Sequence, residues 1–393
     1  MNPARPHPFD ARFADALAAL PQSPERTAAL TRFAKTGLPH RRMEGWKWSD
    51  LGRALNQDMA GQDAALPALP APQNALALRF ADGRLEGEPA LPEGLRLRVE
   101  DAPVDKAVLH MADLASALAP LGYTLEINAA PDQVLHLDFT GAGHARLDVH
   151  LAPGCRAVIV EDHRAAGGFA NRALTFSLGK GAALTRLVRQ AGGAGAVHVV
   201  STHIRLDAGA RLQQFSLSLG ARLSRLQTRL VHGGAHARAR LDGAYLLDGE
   251  RHGDQTTHVD HARPDCTTAQ RVRGVVRGKA RGVFQGKFYV ARDSQRTDAQ
   301  MAHDAILLND GASVNAKPEL EIYADDVICT HGNTCGALDE AALFYMRQRG
   351  LSEAAARALL IRAFAGAAFD ALEDEALRAL MMSPVENWLE TTP

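Results

Sequence analysis

From about residue 123 the chain alternates apolar and polar residues with a period of two. LEINAA, VLHLDFTG, ARLDVHLAPG and RAVIVEDH are short runs of this kind, each followed by a glycine-containing turn. A phrase of the form apolar–x–x–Gly–small recurs: LAPGC at 151, LGKGA at 178, LDAGA at 206, VHGGA at 231, VVRGK at 275 and LNDGA at 308. Its central glycines, at 154, 181, 209, 234, 278 and 311, are spaced by 27, 28, 25, 44 and 33 residues. Each phrase suits a strand, a tight corner that needs glycine, and another strand. Stacked, such units predict a mainly β fold, a β-solenoid core over residues 123–336, with a β-sandwich as the competing architecture.

The ends of the chain follow a different period. Phe13, Leu17, Leu20, Leu30 and Phe33 give helical spacing over 10–35, interrupted at Pro21–Pro24. An Ala/Pro-rich stretch near 60–75 reads as a linker, and 76–125 mixes strand and helix signals. Beyond Gly336, a helix over 338–350 is capped by Asp339 and ended by Gly350. Ser352 caps a longer one over 353–371, and a third, 373–382, stops before Pro384. The expected division is therefore 1–122, helical and mixed; 123–336, the β core; and 337–393, helical.

Composition narrows the function classes. Of 393 residues, 46% are hydrophobic and 23% charged, the balance of a globular chain. A net charge of −1 gives no support for nucleic acid or an anionic membrane as the main partner. No run reaches the ~18 uncharged apolar residues of a membrane span. Asp10 and Asp15 speak against a secretory signal. Four cysteines, Cys155, Cys266, Cys329 and Cys335, make no disulfide framework and fit a reducing cytoplasm. Charge is uneven: residues 222–296 carry 15 Lys/Arg against 7 Asp/Glu, and residues 319–390 carry 5 against 13. Solvated faces account for this, as would complementarity toward a partner.

Enzyme signatures are missing: there is no GxxxxGK[ST] loop, GxGxxG, GxSxG or HExxH. Three clusters stand out instead. Cys329-Thr330-His331, with Cys335 four residues on, follows Asp325-Asp326. If 322–331 is a strand, Cys329 and His331 project from one face. A thiolate and an imidazole together suit iron, zinc or an iron–sulfur cluster, and Cys335 could join them after a bend at Gly332. The bland alternative is a buried thiol and a hydrogen-bonded imidazole at the end of the solenoid. Two or three ligands are an incomplete set, which points to a site shared with another chain. The second cluster, RRMEGWKWSDL at 41–51, places Trp46 and Trp48 where they dock a segment on the core rather than stack a base. The third, RGVFQGKFYV at 281–290, puts Phe284, Phe288 and Val290 on one face, and its glycines permit close strand approach.

These segments, with KPELEIYADDVICTHG (317–332) and LDEAALFYMRQRG (338–350), resemble the SufB/SufD family of iron–sulfur cluster assembly proteins. The resemblance is strong over about 250–365, local at 41–51 and absent before 35. It implies a right-handed β-helix with helical ends, working with a SufB-like scaffold subunit and a SufC-like ABC-type ATPase, or as a homodimer when isolated. The family's CxHG motif falls on Cys329 and His331, which the resemblance makes ligands of a nascent cluster shared with the partner. Its ATPase-docking helices correspond to about 338–382, where Leu343, Phe344, Leu359, Leu360 and Phe364 are the expected contacts. It further implies a non-enzymatic subunit that binds no nucleotide itself. Cys335 stands where the family has an apolar residue and Trp48 where it has tyrosine, and the missing N-terminal CxxC favours the SufD-like branch. The rival readings are a carbohydrate-active β-helix enzyme and a structural adaptor without a metal role. The first is poorly served by Asp325–Asp326, because adjacent strand residues face opposite ways.

Overall fold

In the computed structural model, which describes residues 9–56, 66, 69–100 and 109–390, the alternating segments become strands that pair in parallel with the segment one turn away. In chain order they are β1 (Leu76–Ala81), β2 (Arg84–Leu85), β3 (Leu95–Glu100), β4 (Gly122–Ile127), β5 (Leu135–Thr140) and β6 (Gly143–Leu151). Two long strands follow, β7 (Arg156–Leu178) and β8 (Ala183–Leu206). The rest are β9 (Arg211–Ser218), β10 (Leu223–His232), β11 (Arg238–Leu247), β12 (His252–His261), β13 (Thr267–Val276), β14 (Arg281–Val290), β15 (Thr297–Leu307), β16 (Ser313–Ile322) and β17 (Val327–Gly336).

Two ladders result. One runs β5, first half of β7, first half of β8, β9, β11, β13, β15, β17. The other runs β4, β6, second half of β7, second half of β8, β10, β12, β14, β16. Together they make a β-solenoid of about eight turns with helices at both ends of the chain. Leu, Ile, Val and Phe from both ladders meet between them, among them Leu212, Leu226, Leu241, Val259, Phe284 and Phe288. That burial is the main stabilising term.

The recurrent glycine does two jobs. Gly154, Gly181, Gly209 and Gly278 sit at corners with φ of 73°, 68°, 68° and 70°, the left-handed region where a side chain is strained. Gly234 and Gly311 instead allow close approach: a Cβ there would lie 2.0 Å from the Ala208 backbone nitrogen or 2.6 Å from the Gly278 carbonyl oxygen.

The mixed stretch before 123 joins the sheet, since β1 pairs in parallel with β5 and β3 antiparallel with β4. Half of the Ala/Pro linker, 60–65 and 67–68, lies outside the described residues. The N-terminal helices are α1 (Phe9–Ala18) and α2 (Pro24–Ala34), the latter capped by Ser23 with Pro24 in its first turn. With α3 (Leu51–Leu55) and α4 (His110–Leu118) they pack on the outer side of the second ladder, against Phe169, Val197, Val199 and Leu223. The C-terminal helices α5 (Glu340–Gln348), α6 (Glu353–Gly366) and α7 (Glu375–Glu390) cover the outer side of the first ladder, against Leu187, Phe215, Leu217 and Leu246.

Three boundaries differ from the sequence reading. The last helix does not stop before Pro384 but runs through it to Glu390. Proline removes the donor to the carbonyl four residues back, Leu380, and that carbonyl accepts instead from Arg189 Nη1 at 3.3 Å. The helix after Ser352 ends at Gly366, where a tighter turn over Ala367–Phe369 takes over. Residues 322–331 are not one strand, because β16 ends at Ile322 and β17 starts at Val327.

Candidate functional site

The last turn of the solenoid is open. Among the described residues β16 pairs only with β14, and β17 only with β15, so each leaves a row of backbone groups without a described strand on its far side. Pro318 inside β16 fits such an edge, since it has no N–H to offer. Ile322, Tyr323 and Ile328 are exposed around this edge, Ile328 by 64%.

β17 brings the candidate ligands together on one face. Its register pairs Cys329 with Ala299, His331 with Met301, Asn333 with His303 and Cys335 with Ala305. Ala299 and Met301 belong to the interior core, so this stripe of β17 points into the open mouth of the solenoid. His331 and Cys335 are exposed, whereas Cys329 is half-buried against the core. Burial pushes the Cys329 thiol up, Asp298 adds to this, and the Ala299 backbone partly offsets it. Cys329 is therefore a protonated thiol near neutral pH.

Cys335 does not join Cys329 and His331 through a bend at Gly332. β17 stays regular to Gly336, which sets Cys335 about 13 Å beyond His331 at ~3.3 Å per residue. Cys329 and His331 are about 7 Å apart by the same measure, close enough to address one polynuclear group.

Behind this stripe lies a buried chain that the sequence reading missed. His303 stacks on Phe284, with ring centres 4.6 Å apart and planes 2° from parallel. Tyr245 Oη lies 2.8 Å from its Nε2, and Asn333 Oδ1 lies 2.6 Å from its Nδ1. Burial pushes the His303 imidazole down and the Tyr245 phenol up, and the Cys335 thiol pushes the phenol the same way. Tyr245, His303 and Asn333 lie on three strands 58 and 30 residues apart, so no local spacing announces them.

The other singled-out segments are structural. Trp46 is buried beneath Arg225, whose guanidinium carbon is 4.0 Å from the ring centre. Arg225 bonds Asp254 at 2.6 Å; Ser49 donates to Asp254 at 2.5 Å and lies 2.9 Å from His252 Nε2. Serine, histidine and aspartate here are not wired as a nucleophile, because the hydroxyl proton goes to the carboxylate. They lock the segment on the second ladder, and Glu44 ties its start to Lys317 of β16 at 2.7 Å. In β14, Phe284, Phe288 and Val290 are buried, and a Cβ on Gly286 would lie 2.4 Å from Met301 Sδ. No helix N-terminus follows to cradle a phosphate.

On the C-terminal helices, Leu343 is buried, while Phe344 and Leu359 are 64% and 46% exposed. Leu360 and Phe364 turn toward the solenoid, and Arg273 stands 4.6 Å over the Phe364 ring.

His136, Asp138 and Asp162 form a buried group with ligand atoms within 4.8 Å of one another. Arg164 clamps Asp138 at 2.6 and 2.7 Å, and Arg189 clamps Asp162 at 2.7 and 2.8 Å. Burial raises the Asp162 carboxyl, but His136 and Arg189 outweigh it and hold it below the usual range. The positive charge that a metal would supply is already present as two guanidiniums.

Residues 138–364 match the family described as "SUF system FeS cluster assembly, SufBD core domain". The chain belongs to the SufBD family. It is 28% identical to the Escherichia coli (strain K12) iron–sulfur cluster assembly protein SufD over 394 residues, covering 93% of this chain and 92% of that one. The SufBD family protein Rv1462 of Mycobacterium tuberculosis is 27% identical, with 90% of each chain covered. A SufBD family protein of Synechocystis, slr0076, is 33% identical over 193 residues, covering 49% of this chain and 43% of its own. The SufBD match spans the solenoid from β5 to α6 and includes the Cys329–His331 stripe.

Proposed function

We propose that this chain is a non-enzymatic subunit of a SUF assembly complex that builds nascent iron–sulfur clusters together with a SufB-like scaffold subunit and a SufC-like ATPase. The observation that carries the reading is the placement of Cys329 and His331 on the final, edge-open strand of the solenoid. Two donors of this kind are too few to close a site alone, and they stand where a neighbouring solenoid can supply the rest. Strand addition at the free edges of β16 and β17 is the natural mode of contact, with Ile322, Tyr323 and Ile328 as apolar anchors.

ATP chemistry belongs to the partner, and the exposed Phe344 and Leu359 are the docking contacts. Leu343, Leu360 and Phe364 brace those helices on the solenoid, so movement of the docked ATPase passes to the sheet. The cluster is cargo: His331 would offer a neutral imidazole and Cys329 a thiolate once the metal displaces its proton. Free thiols of this kind persist in a reducing cytoplasm, which is where we place the work.

The test is anaerobic co-expression with the SufB-like and SufC-like partners. His331→Ala should co-purify with both but lose bound iron and visible absorbance; a normal cluster content would refute the assignment. Phe344→Asp with Leu359→Asp should release the ATPase and leave the scaffold partner bound.

A further inference from the structure

The Tyr245–His303–Asn333 chain has a defined direction. Asn333 Oδ1 can only accept, so His303 Nδ1 carries the proton and donates to it. His303 Nε2 is then the acceptor, and the Tyr245 hydroxyl donates to it. The imidazole cannot turn, because it is buried and lies flat on Phe284. The tyrosine cannot retreat either. Tyr245, Gly274, Ala305 and Cys335 occupy one column of the ladder, and the phenol ring fills the side of Gly274, where a Cβ would meet Cζ at 2.2 Å.

The consequence falls on Asn333. With Oδ1 held inward, its Nδ2 amide is turned away from His303, and no acceptor for it is found among the described residues. Alternation along β17 sets this amide on the face that carries Cys329, His331 and Cys335, one step beyond His331. An oriented amide donor beside soft ligands recognises an anionic sulfur, and hydrogen bonds to sulfur tune both the potential and the retention of iron–sulfur clusters.

The geometry points to Asn333 as a hydrogen-bond donor to a sulfur atom of the group held at Cys329 and His331, with His303 and Tyr245 as the positioning residues that aim it. This rests on the assembly function proposed above and adds to it a residue that contacts the cargo. Asn333 itself is exposed, so its replacement opens no cavity; Asn333→Ala takes the acceptor from the buried His303 Nδ1, whereas Asn333→Asp retains it.

The experiment compares Asn333→Ala, Asn333→Asp, His303→Phe and His331→Ala in the full chain, co-expressed with both partners and purified anaerobically. Iron and sulfide content, visible absorption, the rate of cluster loss to an iron chelator, and the melting temperature are read for each. Asn333→Ala is expected to load a cluster and lose it about threefold faster or more, with a lowered melting temperature because His303 Nδ1 loses its acceptor. Asn333→Asp keeps the acceptor for His303 but has no donor, and is expected to lose the cluster at least as fast. His303→Phe keeps the stack on Phe284 and frees Asn333, giving a smaller acceleration; if it fails to fold, the two Asn333 variants carry the test. Wild-type loss rates in both Asn333 variants, with His331→Ala failing to load, would overturn this inference and leave the site standing. Normal loading of His331→Ala would instead remove the site and this inference with it.

Discussion

Arg189, buried in the first ladder, donates from Nη1 to the carbonyl of Leu380, the one carbonyl in α7 that Pro384 deprives of its helical donor. The same guanidinium holds Asp162 by two bonds, so a single residue neutralises a buried carboxylate and mends a proline break in the helix packed above it. Arg189→Met should cost about 3–5 kcal/mol, because it leaves the buried Asp162 beside the Asp138 carboxylate with its guanidinium partner removed and His136 as its remaining hydrogen-bond partner. Urea unfolding measures this, and a loss below about 1 kcal/mol would show that the pair does not secure the C-terminal helices.

The Tyr245 ring makes Gly274 a site where the smallest side chain is too large. Gly274→Ala places a methyl within the phenol, and an overpacking cost of about 1–3 kcal/mol is expected. Tyr245→Phe keeps the ring and removes the hydroxyl, which leaves His303 Nε2 buried without a donor, again about 1–3 kcal/mol. Both are read by denaturant titration. Stability within about 0.5 kcal/mol of the parent for both would mean that the ring is free to move.

Two buried histidines make the fold acid-sensitive. Burial lowers His144 to about 3 and His261 to about 4, from an ordinary value of 6.5. His261 stacks on His232 and shares Thr268 with it, and His144 lies beside Asn171. The folded state holds both neutral, while the unfolded chain takes up protons below pH 6.5. Their contribution is therefore complete above about pH 6.5 and falls as the pH drops toward 4, by about 1.4 kcal/mol per histidine per pH unit. Urea midpoints at pH 7 and pH 5 check the sign, and His144→Gln should flatten the profile by one histidine's share. A higher midpoint at pH 5 would contradict it.

Phe344 and Phe369 separate a docking surface from a core. Phe344 is exposed on α5, so Phe344→Asp should change stability by no more than about 0.5 kcal/mol. Phe369 is fully buried between the helices and the first ladder, and Phe369→Ala should cost about 3–5 kcal/mol. Thermal or urea unfolding distinguishes them, and comparable losses would mean that Phe344 is part of the packing.

Much of the architecture is legible locally. The period of two, the corner glycines at 154, 181, 209 and 278, and the caps at Asp339 and Ser352 each depend on residues within a few positions, and each appears where its spacing places it. The placement of Cys329 and His331 on one face of a strand is local in the same sense. Where local rules failed, a distant group had intervened. Pro384 reads as a stop, but Arg189, nearly two hundred residues earlier, supplies the missing donor. Gly332 reads as a bend, but ladder pairing with β15 keeps β17 straight and holds Cys335 away from His331.

The sequence by itself determined a solenoid of alternating strands, helices at both ends, family membership and the pair Cys329–His331, because all of these are written in neighbouring residues. Tertiary structure alone decided that β17 is the open last turn, that Tyr245 and His303 stand behind Asn333, and that Phe344 and Leu359 face outward while Leu360 and Phe364 face in. In a stacked fold, residues about thirty positions apart become neighbours at ~4.8 Å, and a slip of one residue exchanges the inner and outer faces. Only the register of the assembled turns settles which side chains meet.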